Sequence, residues 1–318
     1  MVDSDLSEIE ILRPDLDDLE GSEELQPDLR EEHKTPEQKK RDLVGQEALS
    51  VMEATARLKE ESGKVVSFVG PVGVGKTTLI SSLYDVFCKT NELSLSFGGS
   101  DTLYAFEKLC HYSRVTSRGD EISTPRTSSM SDVQFYHLSL VNSSNKMNVF
   151  LADRSGEDYS SMVDDLSLVD GFSEIGRSDL VCVLADSESL STSATRHVAR
   201  LNLQNLLTSM FESQVLEDKS NCLILLTKFD VASGMGKEEQ CLNEVQKVVQ
   251  KLKTITDAQI EVLPVAAKAV SFTTDHSNES NISELWDKIS SCSLAKKKVD
   301  VPKGNSNRSF HRMGEVYE

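Results

Sequence analysis

The chain alternates between short apolar runs and longer stretches where apolar residues recur every three or four positions. Residues 64–69, 179–186, 222–226 and 260–265 are compact runs of Val, Ile and Leu bounded by polar residues, the pattern of buried strands. Residues 133–140 alternate apolar and polar side chains as a half-buried strand does. A turn at 142–145 leads back into 147–153, which predicts an antiparallel hairpin. Helical spacing marks 78–87, 103–110, 194–213, about 237–252 and 282–289. In 194–213 the broad apolar face is Val198, Leu201, Leu203, Leu206, Leu207, Met210 and Phe211. Strands alternating with helices predict a three-layer α/β sandwich whose sheet is mostly parallel with one antiparallel edge strand.

The pattern fails at both ends. Residues 1–35 are acidic, with leucines set among carboxylates, and hold too little apolar surface to order themselves. Disorder is expected there, and the leucines suit a short motif that docks on a partner. Thr35-Pro36 reads as a helix start, and a helical extension is expected over 36–62, stopping at Ser62-Gly63. Leu43, Ala48, Val51, Met52 and Leu58 give it a partial apolar face. Packing against the main domain is preferred to a coiled coil, because no heptad is sustained. The main domain is expected over 63–293, with 91–130 as a long polar insertion and 294–318 as a loose basic tail.

Between the first strand and the first long helix stands Gly70-Pro71-Val72-Gly73-Val74-Gly75-Lys76-Thr77. This is G-x-x-x-x-G-K-T in its strand–loop–helix context, the phosphate-binding loop of P-loop NTPases. The expected fold is therefore a P-loop NTPase sandwich. Glycines turn the backbone so that its N–H groups face an anion, and the positive end of the next helix points the same way. Gly70, Gly73, Val74, Gly75, Lys76, Thr77 and Thr78 are the candidate phosphate-binding residues. Lys76 would meet the β- and γ-phosphates and Thr77 would ligate Mg²⁺.

Three later elements extend the site. Asp153-Arg154-Ser155-Gly156 ends a strand with the spacing D-x-x-G: Asp153 would hold Mg²⁺ through water, and the Gly156 N–H would sense the γ-phosphate. Thr227-Lys228-Phe229-Asp230 resembles the [NT]-K-x-D guanine motif. The Asp230 carboxylate accepts from N1–H and the 2-amino group of guanine, a donor pair adenine lacks, and Lys228 would lie along the base. Ala266-Ala267-Lys268 resembles the [SA]-A-K element, whose backbone N–H meets guanine O6. A bland polar loop after a strand explains each of these alone, but not their order. Together they resemble the translation-factor-related class of P-loop GTPases over about 64–293. The magnesium threonine of switch I should lie in the insertion; Thr127 is preferred to Thr124 because it stands closer to the following strand.

A closer resemblance rests on Ser100-Asp101-Thr102-Leu103, Phe106-Glu107, Cys110-His111, Ser113-Arg114, Thr124-Pro125-Arg126-Thr127, Phe135-Tyr136-His137-Leu138 and Asp153-Arg154-Ser155-Gly156-Glu157. These are similar to the second component of bacterial double-GTPase systems. The resemblance implies a second GTPase or another protein of the same system as partner, and a place in a multi-component system, with anti-phage conflict as the inferred setting. It departs from many related GTPases at Glu157, where they carry the glutamine that orients water. Either Glu157 positions water in a slow GTPase, or it is structural and hydrolysis waits for a partner. Arg126 and Arg154 flank switch elements; a cis catalytic role competes with an ordinary salt-bridged one. The rival function is a nucleotide-gated interaction module without useful catalysis, and a third, an ATPase or kinase, is disfavoured by Asp230.

Composition adds limits. The chain has 318 residues, 38% apolar, with a formal net charge of −18. That charge opposes nonspecific nucleic-acid or anionic-membrane binding. The six cysteines are scattered, with no C-x-x-C pair, which suits core thiols in a reducing compartment. No signal core or membrane-length apolar run is present in the sequence, so a cytoplasmic location is expected, with a homodimer as one possible assembly.

Overall fold

The structure is a computed structural model that describes residues 47–89, 95–113, 132–142, 145–267 and 281–293. Within them the elements run α1 (Val51–Glu60), β1 (Gly63–Val69), α2 (Lys76–Lys89), β2 (Ser96–Gly99), α3 (Leu103–Ser113), β3 (Gln134–Asn142), β4 (Asn145–Asp153), α4 (Gly156–Asp164), a 3-10 turn (Leu166–Gly171), α5 (Ser173–Arg177), β5 (Leu180–Asp186), α6 (Ser187–Ser191), α7 (Arg196–Glu212), β6 (Cys222–Thr227), α8 (Phe229–Gly234), α9 (Glu238–Leu252), β7 (Ile260–Pro264) and α10 (Ile282–Ser291).

The strands form a seven-stranded sheet in the order β2-β3-β4-β1-β5-β6-β7. β4, β1, β5, β6 and β7 are mutually parallel. β3 runs antiparallel to β4, as the hairpin pattern predicts, with Gln134 opposite Asp153 and Asn142 opposite Asn145. The fold is the expected mostly parallel sandwich, with one addition. β3 is not the outermost strand, because β2 pairs antiparallel on its far side. The insertion is therefore not all loop: its first part supplies a strand and the helix α3. Four residues with an irregular register carry too weak a period to stand out in sequence.

Successive side chains of a strand point to opposite faces, and the core divides accordingly. Val66, Phe68, Leu151, Cys182 and Leu184 face α2, α3 and α10, where Leu79, Leu83, Phe106 and Trp286 are buried. Val69, Val181, Val183 and Ile224 face the other layer, with Leu206, Leu207 and Met210 of α7 and Val245 and Val248 of α9. Trp286 is fully buried, its indole N–H donates to the Leu83 carbonyl at 3.0 Å, and its ring meets Phe87 edge-on. In α7 the structure buries Leu203, Leu206, Leu207, Met210 and Phe211 but leaves Val198 exposed.

The N-terminal extension differs from its expected form. The Ser50 hydroxyl accepts from the Glu53 N–H, and the Glu53 carboxylate accepts from the Ser50 N–H at 2.8 Å, a reciprocal capping box that starts α1 at Val51. Residues 47–50 are not helical. Instead, Leu49 exchanges backbone hydrogen bonds of 2.8 and 2.9 Å with Phe135 of β3. The expected start at Thr35 and the residues to 46 lie outside the described residues. Ala54, not Met52, is the buried anchor of α1; Met52 is 80% exposed. α1 packs on Val65, Phe135, Phe150 and Ala152, and Arg57 pairs with Asp101 at 2.8 Å.

Candidate functional site

The phosphate loop, the D-x-x-G segment, the T-K-x-D segment and Ala266-Ala267 each lie at or just beyond the carboxyl end of a parallel strand, where ligands bind in open α/β sheets. β1 leads into the loop at Gly70, β4 ends at Asp153, β6 ends at Thr227, and β7 leads to Val265-Ala266-Ala267. Because β4, β1, β5, β6 and β7 are neighbours, the sheet order alone brings these ends together.

Gly75 holds φ +99°, a left-handed conformation that a side chain would resist. It admits the turn that starts α2 at Lys76. Lys76 is buried, and its ammonium donates to the carbonyls of Gly70 at 2.7 Å and Pro71 at 3.1 Å. Two of its three donors thus brace the loop on itself. Burial pushes its pKa down to about 8, against the opposing pull of Asp153 and Asp158. The ring of Tyr159 stands 5.6 Å from the ammonium, and the Tyr159 hydroxyl donates to Phe68 O. The Thr78 carbonyl accepts from the Ser81 and Ser82 hydroxyls at the start of α2.

The Thr77 hydroxyl donates to Asp153 Oδ2 at 2.8 Å. Asp153 is 1% exposed. A threonine hydroxyl and a carboxylate in contact at the mouth of an anion loop are hard oxygen donors suited to Mg²⁺. Among the described residues no group of three or more His, Cys, Asp or Glu side chains could hold a metal. Mg²⁺ at this place would therefore draw its remaining ligands from phosphate oxygens, water and residues outside those described, which matches its preference for retaining waters.

Gly156 opens α4 directly against the phosphate loop. A Cβ built there would stand 2.3 Å from Val72 N and 2.4 Å from Pro71 C, both backbone atoms, so only glycine fits. Ser155 caps the helix, and Glu157 is exposed in its first turn, where a carboxylate complements the helix dipole. Arg154 is committed elsewhere. It grips the buried Glu174 with two hydrogen bonds of 2.7 and 3.1 Å, donates to Gly171 O at 2.8 Å, and lies over the Phe172 ring at 4.5 Å. This is the salt-bridged alternative for Arg154, and its cost and gain are structural. Glu174 carried no signal in sequence, because the pairing spans twenty residues and two elements.

At the opposite end of the loop, the Thr227 hydroxyl donates to Val74 O at 2.7 Å and Ala185 O at 3.1 Å. Lys228 adopts a left-handed conformation, φ +53°. Its ammonium pairs with Asp186 at 2.9 Å and Glu188 at 3.3 Å. Burial lowers the lysine's pKa, but the two carboxylates outweigh it and raise it above the usual value. Asp230 is half-buried in the first turn of α8, and desolvation raises its pKa against two backbone hydrogen bonds. The Phe229 N–H donates to Val265 O, and the Ser82 hydroxyl donates to Ala267 O at 2.5 Å. The first bond joins the segments that follow β6 and β7, and the second ties the latter to α2. Asp186 and Glu188 belong to no motif noticed in the sequence. Thr124, Arg126, Thr127 and Lys268 lie outside the described residues.

A phosphate loop after the first strand and a sheet of this order define a P-loop NTPase fold. The family described as Double-GTPase 2 matches residues 64–289, more than two thirds of the chain. The chain belongs to that family and is a GTP-binding protein. A solved structure similar to it is the signal recognition particle receptor SRb-GTP/SRX complex from Chaetomium thermophilum, with 14% identity, 68% of this chain and 95% of that chain covered, and a TM-score of 0.37. No curated protein matches the chain. No helix among the described residues is long and apolar enough to cross a membrane.

Proposed function

We propose that the protein is a Mg²⁺-dependent GTP switch with slow intrinsic hydrolysis. The observation that carries the reading is the 2.8 Å contact between Thr77 and Asp153 beside Lys76. It brings the phosphate loop and the D-x-x-G segment to one point, where a γ-phosphate and its cation would join them. Gly70, Gly73, Val74, Gly75 and Thr78 line the loop around the phosphates, with Lys76 as their cation. Mg²⁺ supplies neutralisation of phosphate charge. Gly156, at van der Waals distance from the loop, reports the γ-phosphate through its N–H. Thr227, Lys228, Asp230, Ala266, Ala267 and Lys268 bind the base. Thr127 completes the cation site from switch I, and Glu157 positions the attacking water.

The deciding measurement is a titration of GTP, ATP and XTP against the wild type and Asp230→Asn. The wild type should prefer GTP, and the variant should lose GTP and gain XTP. Tighter binding of ATP than of GTP by the wild type would remove the guanine assignment.

A second reading is a nucleotide-gated interaction module with little hydrolysis. It is favoured by the exposed Glu157, which already serves the α4 dipole, and by the engagement of Arg154 with Glu174. Phosphate release by wild type and Glu157→Ala separates the two: an unchanged rate sinks the positioning role of Glu157. In both readings a second GTPase or another protein of the same multi-component system reads the switch, with a homodimer as the alternative assembly. Support for such a partner, for the anti-phage setting and for a cytoplasmic place is the resemblance to double-GTPase systems and the acidic, leucine-bearing N-terminal sequence.

A further inference from the structure

Lys228 is held at both ends, and only one end belongs to a recognised motif. Its backbone sits in the left-handed region, which a lysine adopts only when its surroundings impose it. Thr227 imposes it from one side, through Val74 O and Ala185 O, and Phe229 from the other, through Val265 O. The far end is the ammonium, 2.9 Å from Asp186 Oδ2, on a side chain that is 34% exposed. The Asp186 carboxylate is itself immobilised. It caps α6, accepting from the Glu188 N–H at 3.0 Å, the Ser189 N–H at 3.4 Å and the Ser189 hydroxyl at 3.0 Å. Glu188 adds a second, more exposed carboxylate at 3.3 Å. Asp186 and Thr227 are register partners on adjacent parallel strands. The four-carbon stem of Lys228 thereby runs from the end of β6 to the end of β5.

We propose that Asp186, assisted by Glu188, is a positioning residue for guanine recognition, holding the Lys228 stem in the place where it forms one wall of the base site. A free lysine stem samples many rotamers, and a base that stacks on it must first order it. The carboxylate clamp orders it before the nucleotide arrives. The clamp acts through Lys228 at the base motif and not through the phosphate loop, so it should act equally on the diphosphate and the triphosphate. The inference rests on the guanine-site reading above.

Asp186→Asn is the informative change, because asparagine caps a helix as well as aspartate does while removing the charge from Lys228. Fluorescent GTP and GDP analogues should each bind about tenfold more weakly, through faster dissociation, with an unchanged melting temperature. In a Lys228→Met background the same substitution should change affinity less than about twofold. Glu188→Gln should cost less than Asp186→Asn, being the more exposed partner. Equal losses in both backgrounds, or no loss from Asp186→Asn, would overturn the clamp. If Lys228→Met abolishes binding, the single variant decides: an unequal effect on GTP and GDP, or a lowered melting temperature, overturns it. A wild type that prefers ATP removes the guanine assignment and with it Asp186 as a positioning residue for guanine, whereas a GTP-preferring wild type with no loss from Asp186→Asn removes the clamp alone. A wild type that binds no nucleotide overturns both.

Discussion

At the residue scale, the site depends on groups whose surroundings make them unlike their free forms. Lys76 is the clearest case. Buried against the loop it braces, it has its pKa lowered from 10.5 to about 8. A bound polyphosphate would raise that value again, because an opposite charge favours the ammonium. Binding should therefore take up a proton above pH 8. The GTP affinity of the protein should fall by up to about tenfold per pH unit above 8, read from dissociation constants measured between pH 7 and 9.5. The sign for folding is opposite. The unfolded chain holds this proton more tightly than the nucleotide-free fold between pH 8 and 10.5, so this group adds stability as pH rises through that window. Gly75, Lys76, Asp153 and Gly156 were all legible as letters. The convergence of Thr77 and Asp153 was legible through the cation both motifs imply, but the lack of room for a Cβ at Gly156 was not, because Pro71 and Val72 stand more than eighty residues away along the chain.

At the element scale, the first turn of α4 is pinned from two sides. Gly156 abuts the phosphate loop, and Arg154 is clamped to Glu174 at the start of α5. Glu174 is 1% exposed, and without it the Arg154 guanidinium keeps Gly171 O and the more distant Asp158 but loses its closest and most buried charge partner. Glu174→Ala should destabilise the fold by about 3 kcal/mol, measured from urea unfolding midpoints at constant slope. The paired change Arg154→Met with Glu174→Leu should cost much less, since the buried carboxylate goes with its guanidinium and Asp158, left behind, is 22% exposed. α1 shows where element reading from sequence goes astray. Ser50-Val51-Met52-Glu53 is a complete reciprocal cap, and Leu49 is taken by a strand, so residues 47–50 are not part of the expected continuous helix. A backbone pairing to Phe135, eighty-six residues on, leaves no local mark. The long helices α7 and α9 were legible nearly to their ends, because each buries one continuous stripe.

At the scale of the whole molecule, two layers of helices clamp one sheet among the described residues, and α10 closes one of them. Trp286 of α10 fills the space beside Leu83 and Phe87 of α2, the helix that begins at Lys76. Trp286→Ala should cost about 3–5 kcal/mol in thermal or urea unfolding, and should loosen GTP binding as α2 loses its backing. The parallel sheet, the antiparallel hairpin, the phosphate loop and the order of the motifs were determined by the sequence alone. Each rests on short-range facts: the period of apolar positions, and glycines and polar residues at the ends of apolar runs. The tertiary structure alone decided the rest: β2 outside β3, Leu49 on Phe135, Arg154 on Glu174, and Lys228 between Asp186 and Glu188. Those pairings join residues distant along the chain, and their free energy comes from burial and charge contact that exist only once the sheet has assembled them.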